Sequence, residues 1–288
     1  MINAYFGTSR TPFETDTELK NELLEHQLNA YTRLIDQANI GGFSVVVGEP
    51  GTGKTIFKQA LTQLPDKQYN LIIINRSIYS WSAFLSLLAH AMEVEPKGRA
   101  PKIERSIIKQ ATKLKQRGRD LILVIDDAHL IAQNILKRIR LLLEDFPRNT
   151  SLVLIGQLEL LAQIRMRENE EILSRVTNSA EFKLLSPADT ESFILNQLDL
   201  SALPHSTFTH EAIALITKVS NGNLRATKNL CISSMLEAIR TQTKTIDISH
   251  VNKVLDQPHW RRSTQLEGIE PVSFTNQRPD YKDPKSMN

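Results

Sequence analysis

The run Gly48-Glu49-Pro50-Gly51-Thr52-Gly53-Lys54-Thr55 constrains this chain more than any other stretch. It fits G-x-x-x-x-G-K-[ST], and its flanks give the pattern physical meaning. Phe43-Ser44-Val45-Val46-Val47 reads as a short buried strand before it, and Ile56-Phe57-Lys58-Gln59-Ala60-Leu61 as the start of a helix after it. A loop passing from strand to helix gathers backbone N–H groups and the positive end of a helix dipole at one point. Glycines let the backbone approach a phosphate, Lys54 reaches the β- and γ-phosphates, and the Thr55 hydroxyl can ligate Mg²⁺. The expectation is a phosphate-binding loop, residues Gly48 to Thr55, for a nucleoside triphosphate.

Composition sets the frame around that loop. A chain of 288 residues with 41% apolar content has material for one large α/β domain and a smaller one. No apolar run approaches the ~20 residues of a membrane span. The start, Met1-Ile2-Asn3-Ala4-Tyr5, lacks the charged and apolar regions of a signal peptide. The single cysteine, Cys231, leaves no internal disulfide and suits a reducing, cytoplasmic setting. It falls in an expected helix, Leu230 to Ile239, where a buried structural thiol is the simpler reading.

Residues 1–20 read as polar and irregular, followed by a helix over about 17–38. An alternation follows: strand 43–47, the loop, helix 54–64, strand 70–75, helix 81–92, basic helix 102–117, strand 121–125, helix 130–145 and strand 151–155. Strands alternating with helices predict crossover connections and a parallel sheet covered by helices on both faces. The strand-end residues Gly48, Asn75, Asp126 and Gly156 would then share one carboxyl edge, where doubly wound folds bind ligands. From Ser186 the strand signal fades, and helices are expected at 187–197, 209–220, 223–240 and 248–255. Ser186 reads as an N-cap with Pro187 at the first helical position. The resulting division is an N-terminal segment and helix (1–40), an α/β nucleotide-binding core (41–185), a small all-helical lid (186–256) and a C-terminal tail (257–288) expected to be flexible.

Leu121-Ile122-Leu123-Val124-Ile125-Asp126-Asp127 is an apolar strand ending in two carboxylates. Alone it is only a turn signal. Some seventy residues after a phosphate loop it reads as a Walker B strand, with Asp126 holding Mg²⁺ through water and Asp127 orienting or deprotonating the attacking water. Three more positions fit a site completed between subunits. Gln157 follows strand 151–155, where it can touch the γ-phosphate or the water. Arg175 is a candidate arginine finger acting in trans. Arg225 opens a helix of the second domain and can contact phosphates in cis.

Net charge is only +3, yet nine basic residues between Lys97 and Arg119 face the single acid Glu104. At the helical period Lys102, Arg105, Lys109 and Lys113 share one face, while Ile103, Ile107, Ala111 and Leu114 share the opposite one. An ordinary amphipathic helix with a solvated face is one reading. The near absence of acid favours the other, sequence-independent contact with the backbone of double-stranded DNA through Lys102, Arg105, Lys109 and Lys113.

Together, Tyr5-Phe6-Gly7 with Pro12-Phe13, His26, GEPGTGKT at 48–55, IDDAH at 125–129, LVLIGQ at 152–157, LSRV at 173–176 and GNLR at 222–225 resemble the ExeA/TnsC-type AAA+ ATPases. The resemblance spans roughly residues 1–256. It implies an AAA+ P-loop NTPase with a helical lid that uses ATP and Mg²⁺, with Lys54, Thr55, Asp126, Asp127, Gln157, Arg175 and Arg225 in the nucleotide roles given above. In the transposition branch, similar to TnsC, MuB and IstB, it implies a homo-oligomeric ring or filament on duplex DNA that recruits and activates a transposase, with the segment at Lys97, Arg99 and Lys102 toward the DNA. The ExeA branch carries a membrane span and a cell-wall-binding domain. Neither is seen in these residues, so the expectation is the transposition branch and no membrane partner. A replication-type initiator or helicase loader, or an ExeA-like secretion or signalling ATPase without a DNA role, are the alternatives. The family usually has Glu at the position of Asp127 and often a second arginine at that of Ser179, so the resemblance implies slow hydrolysis.

Overall fold

The computed structural model describes residues 1–13, 23–75 and 78–260. The chain opens with α1 (Ile2–Phe6), and α2 (Glu25–Ala38) leads into β1 (Gly42–Gly48). Then come α3 (Lys54–Leu61), β2 (Tyr69–Ile74), α4 (Trp81–Ala91), α5 (Ala100–Gln116), β3 (Asp120–Ile125), α6 (Gln133–Glu144), β4 (Ser151–Gly156), α7 (Leu158–Arg165), α8 (Glu170–Leu173) and β5 (Val176–Phe182). The remainder of the described chain is helical: α9 (Pro187–Leu200), α10 (His210–Ser220), α11 (Leu224–Arg240) and α12 (Ile248–Leu255).

The strands form one parallel sheet in the order β2-β3-β4-β1-β5. Its central strands are apolar without interruption because both faces are covered. Side chains alternate across the pleat. Val45, Val47, Leu123, Ile125, Leu152 and Leu154 meet α4, α5, α6 and α7 on one face. Val46, Ile122, Val124, Val153 and Ile155 meet α2 and α3 on the other. All five carboxyl ends therefore lie along one edge, as the alternation of elements predicts.

Three parts of the chain depart from the sequence reading, among them α7 and α8, since no helix is expected between residues 156 and 186. The fifth strand, β5, has no counterpart in it: Thr177, Asn178, Ser179 and Glu181 give this strand a polar, alternately exposed surface. It sits at the sheet edge against β1, where only one side must be buried, so it lacks the apolar run that marks the other strands. The first residues are not irregular either. Ile2–Phe6 is helical, and Ile2 and Phe13 are buried in the apolar cluster of α9–α12. The expected helix start near residue 17 and most of the C-terminal tail (261–288) lie outside the described residues. Trp260, at the head of that tail, packs on the same cluster.

The helical region has its own core, centred on Ile194, Leu198, Ile216, Leu230, Met235 and Val251. Its entry follows the predicted cap: Ser186 Oγ accepts from the Asp189 N–H (3.1 Å), and Pro187 occupies the first turn. Cys231 is fully buried in this core, and loss of hydration pushes its thiol well above the usual cysteine range. We expect Ellman's reagent to leave Cys231 unmodified in native buffer and to react with it as urea opens the helical region. Stoichiometric reaction within minutes in native buffer would contradict that packing.

Candidate nucleotide-binding site

At the carboxyl edge of the sheet lies a cavity of about 490 Å³, a size typical of small-molecule sites. Four parts of the chain meet there. The loop after β1 and the start of α3 supply Pro50, Gly51, Gly53, Lys54 and Thr55. The turn after β3 supplies Asp126 and Asp127, the end of β4 supplies Gln157, and the first turn of α11 supplies Arg225. Residues separated by up to 175 positions thus converge because parallel strands end on the same side.

The loop is fixed through its carbonyls. Lys54 Nζ donates to Gly48 O (2.6 Å) and Glu49 O (2.7 Å). Asn223 Nδ2 donates to Pro50 O (2.7 Å), the Arg225 N–H to Gly51 O (3.4 Å), Gln27 Nε2 to Thr52 O (3.0 Å) and the Phe57 N–H to Gly53 O (3.1 Å). Every carbonyl from Gly48 to Gly53 therefore accepts a hydrogen bond. Gly51 and Gly53 have positive φ, and a Cβ on them would lie 2.1 Å from Asn223 Oδ1 and 2.2 Å from Gln27 Nε2. Glycine is required here by its clamps as well as by its backbone. Gly48, Glu49 and Thr52, predicted with the rest of the loop, do not line the cavity; Thr52 is 1% exposed and its hydroxyl donates to Glu49 O (2.8 Å).

Burial lowers the Lys54 ammonium below the ordinary lysine value. The carboxylates of Asp126 and Asp127 oppose that shift, and Arg225 adds to it. All four groups line the same cavity. Asp126 Oδ1 accepts the Asp127 N–H (2.9 Å), and Asp126 Oδ2 is paired with Lys58 Nζ. Asp127 holds a left-handed backbone (φ 50°), an uncommon conformation for a residue other than glycine.

The oxygen donors present suit a hard cation. Among the described residues no three His, Cys, Asp or Glu side chains cluster as a metal site. The Thr55 hydroxyl and Asp126 carboxylate would leave the remaining positions to phosphate oxygens and water, which is how Mg²⁺ is commonly held.

Other predicted residues stand apart. Arg175 does not line the cavity; it is exposed between α8 and β5, with Nη2 paired to Glu144, which also holds Arg140 Nη1 (2.6 Å). Lys97, Arg99, Lys102, Arg105, Lys109 and Lys113 lie on α5 and the loop before it, where the chain is open to solvent. The apolar stripe of α5 (Ile103, Ile107, Ala111, Leu114) is buried on the sheet side, as its periodicity requires. Gln27, Lys58 and Asn223 belong to the site without being legible in the sequence as site residues. Gln27 and Asn223 are ordinary polar residues whose reach to the loop depends on tertiary packing. Asn223 alone carries a signal, as the N-cap of a helix whose next residues are Leu224-Arg225.

A parallel five-stranded sheet in this order, a phosphate loop after β1, paired carboxylates after β3 and a C-terminal helical region define an AAA+ P-loop NTPase fold. Residues 37–164 match the family model described as the AAA domain. Across 91% of its length the chain is 25% identical to general secretion pathway protein A of Aeromonas hydrophila, and it spans 50% of that relative. Solved structures share the fold at low identity. The Aeropyrum pernix ORC1 protein in complex with DNA superposes with a TM-score of 0.64 (16% identity; 87% of this chain, 70% of that one). The Aeropyrum pernix ORC2 protein in ADPNP–ADP complexes gives 0.61 (14%; 92% and 79%). The Thermotoga maritima RuvB Holliday junction branch migration motor gives 0.57 (15%; 83% and 73%).

Gln27→Ala removes a buried donor and leaves Thr52 O unpartnered. It is expected to cost about 1–3 kcal/mol in urea unfolding and to weaken nucleotide binding by loosening the loop. An unchanged unfolding midpoint would show that the clamp contributes nothing.

Proposed function

We propose that this chain is an ATPase that couples ATP binding and hydrolysis to assembly on duplex DNA. The observation that carries the ATPase reading is the convergence of Lys54, Thr55, Asp126, Asp127, Gln157 and Arg225 on one cavity. Lys54 and Arg225 bring positive charge to the β- and γ-phosphates from two sides. Asp127, on its left-handed turn, orients or deprotonates the attacking water, with Gln157 beside it. A Mg²⁺ ion held by Thr55 and Asp126 neutralises phosphate charge when nucleotide is bound. Asp127 is one methylene shorter than Glu, and misplacement by about an ångström can cost roughly 10²-fold, so turnover is slow and the ATP-bound form persists as the active state.

Arg175 fits a finger offered to a neighbouring subunit: it is exposed, outside its own cavity, and held by Glu144 at the protomer surface. The helical region α9–α12 serves as the lid, since Arg225 and Asn223 at its α11 both reach the loop. The basic face of α5, with the loop at Lys97 and Arg99, supports contact with the DNA backbone. Shared fold with DNA-bound ORC1 and with the RuvB motor is consistent with that role. In its finer form, which rests on the motif resemblance, the protein is a regulator of DNA transposition whose oligomer recruits a transposase. A second reading, a secretion-linked ATPase without a DNA role, is favoured by the 25% identity to general secretion pathway protein A.

Salt-dependent binding to random-sequence duplex DNA, with ATP, ADP and a non-hydrolysable ATP analogue in parallel, separates the two readings. Tight binding with the ATP forms supports the first, and no binding under any nucleotide supports the second. Lys54→Ala is expected to abolish nucleotide binding. Arg175→Ala should lower turnover at least tenfold with nucleotide affinity retained; unchanged turnover removes Arg175 from the mechanism. Charge reversal at Lys102 and Arg105 should weaken DNA binding equally across sequences. It should also reduce the salt slope by about 1 for each phosphate no longer neutralised.

A further inference from the structure

Lys58 lies one helical turn beyond Lys54 on α3, so both side chains leave the helix on the same side. Lys54 is committed to the carbonyls of Gly48 and Glu49. The ammonium against the strand-end carboxylate is that of Lys58, which is paired with Asp126 Oδ2 and donates to Asn75 Oδ1 at 2.8 Å. Asn75 directly follows β2 and Asp126 directly follows β3, and these strands pair with Ile74 opposite Ile125. One lysine therefore bridges two neighbouring strand ends. The pair is shielded, with side chains 15% and 20% exposed, so its Coulomb attraction is screened less than that of a surface ion pair.

We propose that Lys58 is a positioning residue that pins the Asp126 carboxylate and supplies beside it the positive charge a bound divalent cation would otherwise bring. The geometry gives the reason. Asp126 and Asp127 are consecutive carboxylates, and Lys58 is the ammonium paired with Asp126, Lys54 being held by Gly48 O and Glu49 O; without Lys58 the Asp126 carboxylate would be open to a free divalent cation. With Lys58 in place one carboxylate is neutralised and held by both oxygens, through Lys58 and through the Asp127 N–H. The ion then gains enough affinity only when phosphate oxygens arrive with it. Metal and nucleotide bind together, and the contact to Asn75 ties that event to the end of β2. The identity of the cation as Mg²⁺ rests on the nucleotide-site reading; the charge arrangement does not.

The test uses Mn²⁺ alone, titrated by electron paramagnetic resonance into the full nucleotide-free chain. Wild type is compared with Lys58→Met, Lys58→Gln, Lys58→Arg and the double variant Lys58→Met/Asp126→Asn, each with a thermal melt. Loss of the ammonium is expected to tighten Mn²⁺ binding by about tenfold or more. Lys58→Arg should stay near wild type, and Asp126→Asn should remove the gain. A second arm compares ATP affinity in EDTA and in Mg²⁺: the ratio should widen by about tenfold in Lys58→Met. A lysine that only supports the fold would lower the melting temperature and leave both metal readouts unmoved, and that result overturns the proposal. A gain in Mn²⁺ affinity that survives Asp126→Asn overturns it as well. If Mn²⁺ responds as expected while wild type binds no ATP in either condition, the role of Lys58 stands and the nucleotide reading falls.

Discussion

A loop that offers its amides to a ligand must dispose of its carbonyls, because buried backbone polar groups need partners. Here each carbonyl from Gly48 to Gly53 has one, and the donors come from different parts of the chain: Gln27 on α2, Asn223 and Arg225 at α11, and Lys54 and Phe57 on α3. The loop is thus the joint at which the sheet, the helix before it and the C-terminal helical region are fastened. Moving α11 away from the sheet breaks the Asn223–Pro50 bond and shifts Arg225 from the cavity in the same step. The clamp therefore links the position of the helical region to the shape of the phosphate site.

Charge is arranged around the same joint. Inside the cavity Lys54 and Arg225 face Asp126 and Asp127, and Lys58 closes the carboxylate side. Outside it, Arg175 is paired with Glu144, and Glu144 also carries Arg140, so the exposed guanidinium sits in an ion-pair network at the surface. The basic face of α5 lies on the opposite side of that helix from its buried stripe, on the flank of the sheet carrying α4–α7. Three charged regions with separate geometry, the cavity, the Arg175–Glu144–Arg140 network and the basic face of α5, follow from one sheet with helices on both faces.

Legibility in the sequence follows physical range. The phosphate loop, the central strands and the stripe of α5 can be read because each is governed by local rules: close backbone approach at glycine, burial on two faces, and helical period. Gln157 and Arg225 can be placed near the site because they end a strand and begin a helix, and elements of a parallel sheet deliver such residues to one edge. β5 escapes such a reading because an edge strand buries one side only, so Val176–Phe182 keeps polar residues. The burial of Ile2 and Phe13 among α9–α12 joins the two extremes of the described chain and has no local signature.

What the sequence determined by itself is the set of local devices: a glycine-rich loop with Lys54 and Thr55, an apolar strand closed by Asp126 and Asp127, and an amphipathic helix with a basic face. Each is fixed by interactions among residues a few positions apart. Only the tertiary structure decided which polar group meets which. Gln27 on Thr52, Asn223 on Pro50, Lys58 on Asp126 and Arg175 on Glu144 span between 25 and 173 positions. Nothing in a spacing rule selects those partners. They follow from the order in which the strands assemble and bring distant polar groups together.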